Sequence, residues 1–148
     1  MIGDQNQLPL LTSNFNPIAE KLAKRFWPGG LTLVVEKSFL LPEILSPLST
    51  IGIRIPDHPF ACKLLINTGP LATTSANISG GINPLTAQEV LNQLEGKIDL
   101  VIDGGKVPGG KPSTVVDCTK EKPMIIRIGA ISETEINRTF SLKRAAPL

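Results

Sequence analysis

Apolar and polar positions alternate along this chain with two periods, and the changes between them mark short elements. In NPIAEKLAKRF, Ile18, Leu22 and Phe26 recur on one face, Asn16 stands where a cap is needed, Pro17 suits a first turn and Pro28 stops the run, which predicts a helix. LTLVVE, from Leu31 to Glu36, reads as a buried strand. In IGIRIP the period is two, so Ile51, Ile53 and Ile55 share one face and Arg54 turns to the other. Asp57 or His58, followed by Pro59, opens a second helix over FACKLLIN that Gly69 can end, and PLATT reads as the next strand. Thr86 to Glu89 and Ser132 to Glu135 are capping boxes, the first before a helix reaching Gly96. LVID, STVVD and MIIRI are three further β-rich runs. Strands and helices joined by short connections describe a layered α+β (mixed α/β) domain. Because STVVD and MIIRI follow one another without a helix, the sheet is expected to be mixed.

Composition narrows the picture. With 148 residues and 41% hydrophobic content, one domain over 1–148 is the expectation. The formal charge of +2 is small, and apart from the pairs Lys24-Arg25 and Lys143-Arg144 the basic residues are scattered, so binding to a polyanion is not implied. Cys62 and Cys118 lie far apart without a Cys-x-x-Cys spacing or a second histidine, which argues against a zinc site or a disulfide framework and for a reducing compartment. No apolar run approaches the ~20 residues of a membrane span. A cytoplasmic protein with no membrane contact is expected.

Four segments carry candidate chemistry. TTSANISGG gathers hydroxyls, an amide and glycines where a strand is predicted to end, the place where open α/β sheets put ligands. It either offers donors to phosphate or carboxylate oxygens, with Asn77 holding the backbone or reaching a ligand, or forms an Asx or Ser/Thr turn that satisfies only itself. In GGKVPGGKPST, Gly105, Gly110 and Lys111 match the spacing of a Walker loop. Pro112 occupies the metal-binding hydroxyl position, however, and the β-like TVVD follows where a helix is required, so a surface loop delivering Ser113 to the start of a strand is expected. Arg54 and Arg127 each interrupt a β-run, and each guanidinium needs a partner, either a structural carboxylate or a ligand. His58 is a minor candidate for a base or a metal ligand, its other reading being a helix cap, and Trp27 reads as a packed aromatic at a helix end.

FWPGGLTLVV, IGIRIPDHP, PLATTSANISG, DGG, STVVD and IIRIGA occur in the order and spacing of a known family. From about Ile18 to Ile131 the chain resembles the YrdC-like family of threonylcarbamoyl-AMP synthases. The resemblance implies a YrdC-like three-layer fold whose twisted mixed β-sheet, flanked by helices, forms a concave surface. It also implies a nucleotidyltransferase reaction in which L-threonine, bicarbonate and ATP yield threonylcarbamoyl-adenylate and pyrophosphate, with Mg2+ and cationic side chains offsetting phosphate charge. A downstream tRNA threonylcarbamoyl transferase complex would then modify adenosine beside the anticodon.

Carried over by position, the resemblance places Thr50, Ala76 (through its backbone), Asn77 and Arg127 at the nucleotide, and Arg54, Thr74, Ser75 and Ser113 at threonine. It implies no covalent catalytic residue and no metal ligand from the protein. Members of the family normally begin with a strand and a PT-x-T-x-YGL segment followed by K-x-R, none of which stands here. The chain is therefore expected to be an N-terminally truncated YrdC-like domain, short of part of its cationic clamp and weak or inactive alone. A non-enzymatic RNA-binding module is the alternative.

Overall fold

The computed structural model describes residues 1–107 and 110–141. Contacts divide the chain into two compact units, one formed by Met1–Ala72 with the chain from Pro112 onward, the other by Thr73–Lys111.

In the first unit, helix α1 spans Pro17–Phe26 with Asn16 as its cap. The Asn16 side chain accepts from the Ala19 amide at 3.0 Å and donates through Nδ2 to the Cys118 carbonyl at 2.5 Å, so one residue starts the helix and fastens it to the sheet. Trp27 closes α1, its ring stacked on Phe15 and its indole N–H donating to the Leu31 carbonyl at 2.8 Å, as a packed aromatic should.

Four strands follow: β1 (Leu31–Glu36), β2 (Thr50–Ile53), β3 (Thr114–Asp117) and β4 (Met124–Arg127), in the spatial order β2-β1-β3-β4. β1 runs antiparallel to β2 and parallel to β3, and β3 runs antiparallel to β4, so the sheet is mixed as expected. Register then separates two faces. Leu33 lies opposite Ile53, Val35 opposite Ile51, Leu31 opposite Thr114 and Leu33 opposite Val116, which puts these side chains on one side. That side is the core, where Leu31, Leu33, Val35, Ile53, Ile55 and Val116 pack with Leu22 of α1 and Ile136 of helix α4 (Glu133–Ser141). Each such Leu or Ile contributes about 1.5–3 kcal/mol through burial. Thr32, Val34, Thr50, Gly52, Val115 and Asp117 take the opposite face.

Helix α2 (Pro59–Thr68) is capped by His58, whose ring nitrogen accepts from the Ala61 amide at 3.3 Å, and ends at Gly69 with φ +85°. His58 is thus occupied as a cap. Ser132 and Glu135 form the expected reciprocal capping box of α4, and the Ser132 hydrogen bonds hold the Glu135 carboxyl below its usual range.

In the second unit α3 spans Ala87–Leu94, capped by Thr86. The Glu89 carboxylate accepts from the Leu85 amide at 2.6 Å, one residue earlier than the usual reciprocal bond.

Two predicted strands are absent. PLATT and LVID are irregular segments, because a β-like sequence becomes a strand only where a neighbour supplies a ladder. Leu71 exchanges backbone bonds with Met1, and Leu100 and Ile102 are exposed. The expected surface loop over GGKVPGGKPST includes Pro108 and Gly109, which lie outside the described residues, as does the Lys143-Arg144 pair. Its end behaves as predicted: Ser113 leads directly into β3 rather than a helix, which removes the Walker reading.

Two consequences are measurable. Asn16→Ala removes the cap and leaves the Cys118 carbonyl unmet, and should lower unfolding free energy in urea by about 1–3 kcal/mol, with Asn16→Asp recovering only part. An unchanged midpoint would remove Asn16 from its fastening role. Cys118 is a free, buried thiol whose pKa burial, then the Asp117 charge, pushes up to about 12 from 9.0. Between those values the unfolded chain loses the thiol proton while the folded chain keeps it, so stability falls as pH rises. Melting temperature should decline across pH 9 to 11 in the native chain and decline less in Cys118→Ala.

Candidate functional site

Five polar side chains stand on the open face of the first unit. Arg127, at the end of β4, donates through Nε and Nη2 to the Ser113 carbonyl at 3.1 and 2.9 Å, and through Nη2 to the Ser113 hydroxyl at 3.1 Å. The same hydroxyl lies 2.8 Å from Thr32 Oγ1. Thr50 opens β2 opposite Glu36 and is half-buried.

Arg54 continues the β2 alternation one residue past the strand, between the buried Ile53 and Ile55, and its Nε donates to the Gly29 carbonyl at 2.8 Å. Half-buried, it has its pKa drawn down by desolvation. No carboxylate among the described residues engages it, and its two Nη groups make no protein hydrogen bond there. A rigid fork, anchored at one nitrogen and open at the other two, is suited to a bidentate carboxylate.

Arg127 reaches this face by a register change. Val116 lies opposite Ile125 but Val115 lies opposite Arg127, so Ile126 is an extra residue in β4. Without it, strict alternation would put Arg127 on the core side with Ile125; the bulge turns the guanidinium to the open side beside Ser113. Next to it, Gly129 passes so close to the 112–113 backbone that a Cβ there would sit 2.6 Å from the Ser113 carbonyl carbon. A depression of about 470 Å³ along β4, lined by Pro123, Met124, Ile126, Ile128, Glu133 and Asn137, includes Arg127 alone of the candidate residues.

In the second unit Thr74, Ser75 and Ala76 are exposed, and Thr74 donates to the Ser75 carbonyl at 3.1 Å. Asn77 Nδ2 donates to the carbonyls of Ile78 and Gly81 at 2.8 and 3.1 Å, which fixes the amide's orientation, since a flip would set oxygen against oxygen. Its Oδ1 is buried without a partner. The nitrogen thus secures the turn, and the oxygen is an acceptor in want of a donor.

Comparison with known proteins gives these residues a setting. A family model named Sua5/YciO/YrdC and described as telomere recombination matches residues 1–129. The chain belongs to the Sua5/YciO/YrdC family. Within it, the chain is 40% identical over 148 residues to a threonylcarbamoyl-AMP synthase of Pyrococcus abyssi, covering 99% of this chain and 44% of that protein. It is 41% identical over 138 residues to the Bacillus subtilis threonylcarbamoyl-AMP synthase, covering 91% of this chain and 40% of that one. The crystal structure of P. abyssi Sua5 complexed with L-threonine superposes with a TM-score of 0.88 at 42% identity, over 93% of this chain and 41% of that chain. The chain thus spans less than half the length of these relatives. The superposition bears out the expected α+β fold with its mixed sheet.

Of the eight residues expected at ligands, the structure brings Ser113 and Arg127 into direct contact and sets Thr50 and Arg54 on the same sheet face. Thr74, Ser75, Ala76 and Asn77 belong to the other unit. The sequence reading passed over Thr32 and Thr114. Thr32 is the one hydroxyl in LTLVVE at a position alternate to the core leucines, a signal that an open face needs a polar group there.

Gly129→Ala tests the close approach on which this geometry rests. It should lower unfolding free energy by about 1–3 kcal/mol in chemical denaturation. A neutral result would mean that the 112–113 backbone yields freely.

Proposed function

We propose that this chain acts in forming threonylcarbamoyl-adenylate from L-threonine, bicarbonate and ATP, with Arg54 and Ser113 receiving the threonine carboxylate and hydroxyl and Thr50 and Arg127 meeting the nucleotide. The observation that carries the reading is Arg54: a half-buried guanidinium with no carboxylate partner among the described residues, on the same sheet face as Ser113 and Arg127. The P. abyssi relative, solved with L-threonine, supports the same choice of ligand. In the second unit Thr74, Ser75 and the Ala76 backbone are proposed ligand contacts, and Asn77 Oδ1 would accept from an amino or hydroxyl donor.

In the reaction the threonine amine attacks the bicarbonate carbon with loss of water. An oxygen of the resulting carbamate attacks the α-phosphorus of ATP, and the bond to the departing pyrophosphate breaks. The contribution of these residues is binding and electrostatic: they orient the carboxylate and offset anionic charge. Mg2+ would accompany ATP, held mainly through the phosphate oxygens; among the described residues no three His, Cys, Asp or Glu side chains cluster. Nor is any helix there long and apolar enough to cross a membrane. The RNA-binding alternative draws nothing from a charge balance of 15 basic against 13 acidic residues.

Isothermal titration separates the roles. Arg54→Lys should weaken L-threonine binding about tenfold or more and leave ATP affinity near native, because an ammonium cannot reproduce the fork. Arg127→Ala should weaken both ligands, since it also frees the Ser113 hydroxyl. Native affinity for both ligands in both variants would show that this face is not the binding surface.

A further inference from the structure

We propose that Thr114 is a positioning residue that holds Ser113 and Arg127 in their binding arrangement without touching a ligand. Thr114 is fully buried and faces the core, while its neighbour Ser113, itself buried, turns to the opposite face beside Thr32. Its hydroxyl is saturated. It donates to the Ile131 carbonyl at 2.5 Å and accepts from the amides of Gly129 and Ile131 at 2.9 and 3.0 Å, the full capacity of one O–H donor and two lone pairs.

Those three bonds tie the turn after β4 to the start of β3. The Ala130 amide completes the tie by donating to the Pro112 carbonyl at 2.9 Å. Ser113 stands between Pro112 and Thr114, and Arg127 stands two residues before Gly129, so both residues of the open-face pair emerge from a segment this hydroxyl clamps. The Arg127 guanidinium meets Ser113 through the main-chain carbonyl as well as the hydroxyl, and its geometry follows any shift of the 112–113 backbone. A side chain of equal shape without the hydroxyl would leave two amides and a carbonyl unmet inside the clamp.

The inference rests on the proposed function only where ligand affinity is read, so the test has two readouts. Native protein, Thr114→Val, Thr114→Ser and Val116→Ala are compared, the last being a core truncation on the same strand, and all are measured at the same interval below their own melting temperatures. The first readout is hydrogen exchange of the Arg127 Nε–H by 15N NMR, which reports its bond to Ser113. It should speed up about tenfold in Thr114→Val and stay near native in Thr114→Ser and Val116→Ala. The second is calorimetric affinity for L-threonine and ATP, expected to fall about tenfold for Thr114→Val alone.

Native Arg127 exchange in Thr114→Val would overturn the proposal. So would equal acceleration in Val116→Ala, which would make the effect general loosening. Release of Arg127 in a series whose native member binds neither ligand would sustain the positioning role and defeat the proposed function.

Discussion

Parallel pairing of β1 with β3 is the constraint from which the other arrangements follow. It joins two segments about eighty residues apart, and its register decides at once what is core and what is surface: Leu31 against Thr114 and Leu33 against Val116 on one side, Thr32 beside Ser113 on the other. Period-two alternation carries that decision outward to β2, where the isoleucines turn inward and Thr50 and Arg54 outward. A slip of β1 by one residue would turn Thr32 inward and Leu31 and Leu33 outward together.

The polar groups on the open face illustrate how a protein keeps charge available in a partly dry setting. Arg54 and Arg127 are both restrained by main-chain carbonyls, neutral acceptors that fix direction without cancelling charge. A carboxylate partner would fix direction equally well and extinguish the attraction for an anion.

Much of this was legible in the residues, and what was not has physical reasons. Caps and breakers act locally, which is why Asn16, Pro17 and Pro28 bound α1 and why Ser132 and Glu135 announce α4. The outward turn of Arg54 could be read from three isoleucines. PLATT and LVID were misread because strand propensity states a fitness for pairing, and pairing depends on a partner elsewhere in the chain. The bulge at Ile126 was invisible for the same reason, since MIIRI alone gives no sign that its partner strand is one residue shorter. Thr114 was hidden by its surroundings, a hydroxyl among valines that looks like ordinary strand filling until the turn at Gly129 is folded onto it.

The bulge makes residue parity in β4 a functional quantity. From Ile125 to Arg127 the chain advances two residues while the partner strand advances one, so odd and even positions exchange faces beyond that point. Insertion or loss of a single residue anywhere between Pro123 and Arg127 would reverse the exchange, carrying the cation inward, whereas a change of two would restore it. Comparisons across the family that slide a gap freely through this short strand treat as equivalent alignments that differ in which side of the sheet the charge stands on. Here the count of residues, more than their identity, sets the address of the arginine.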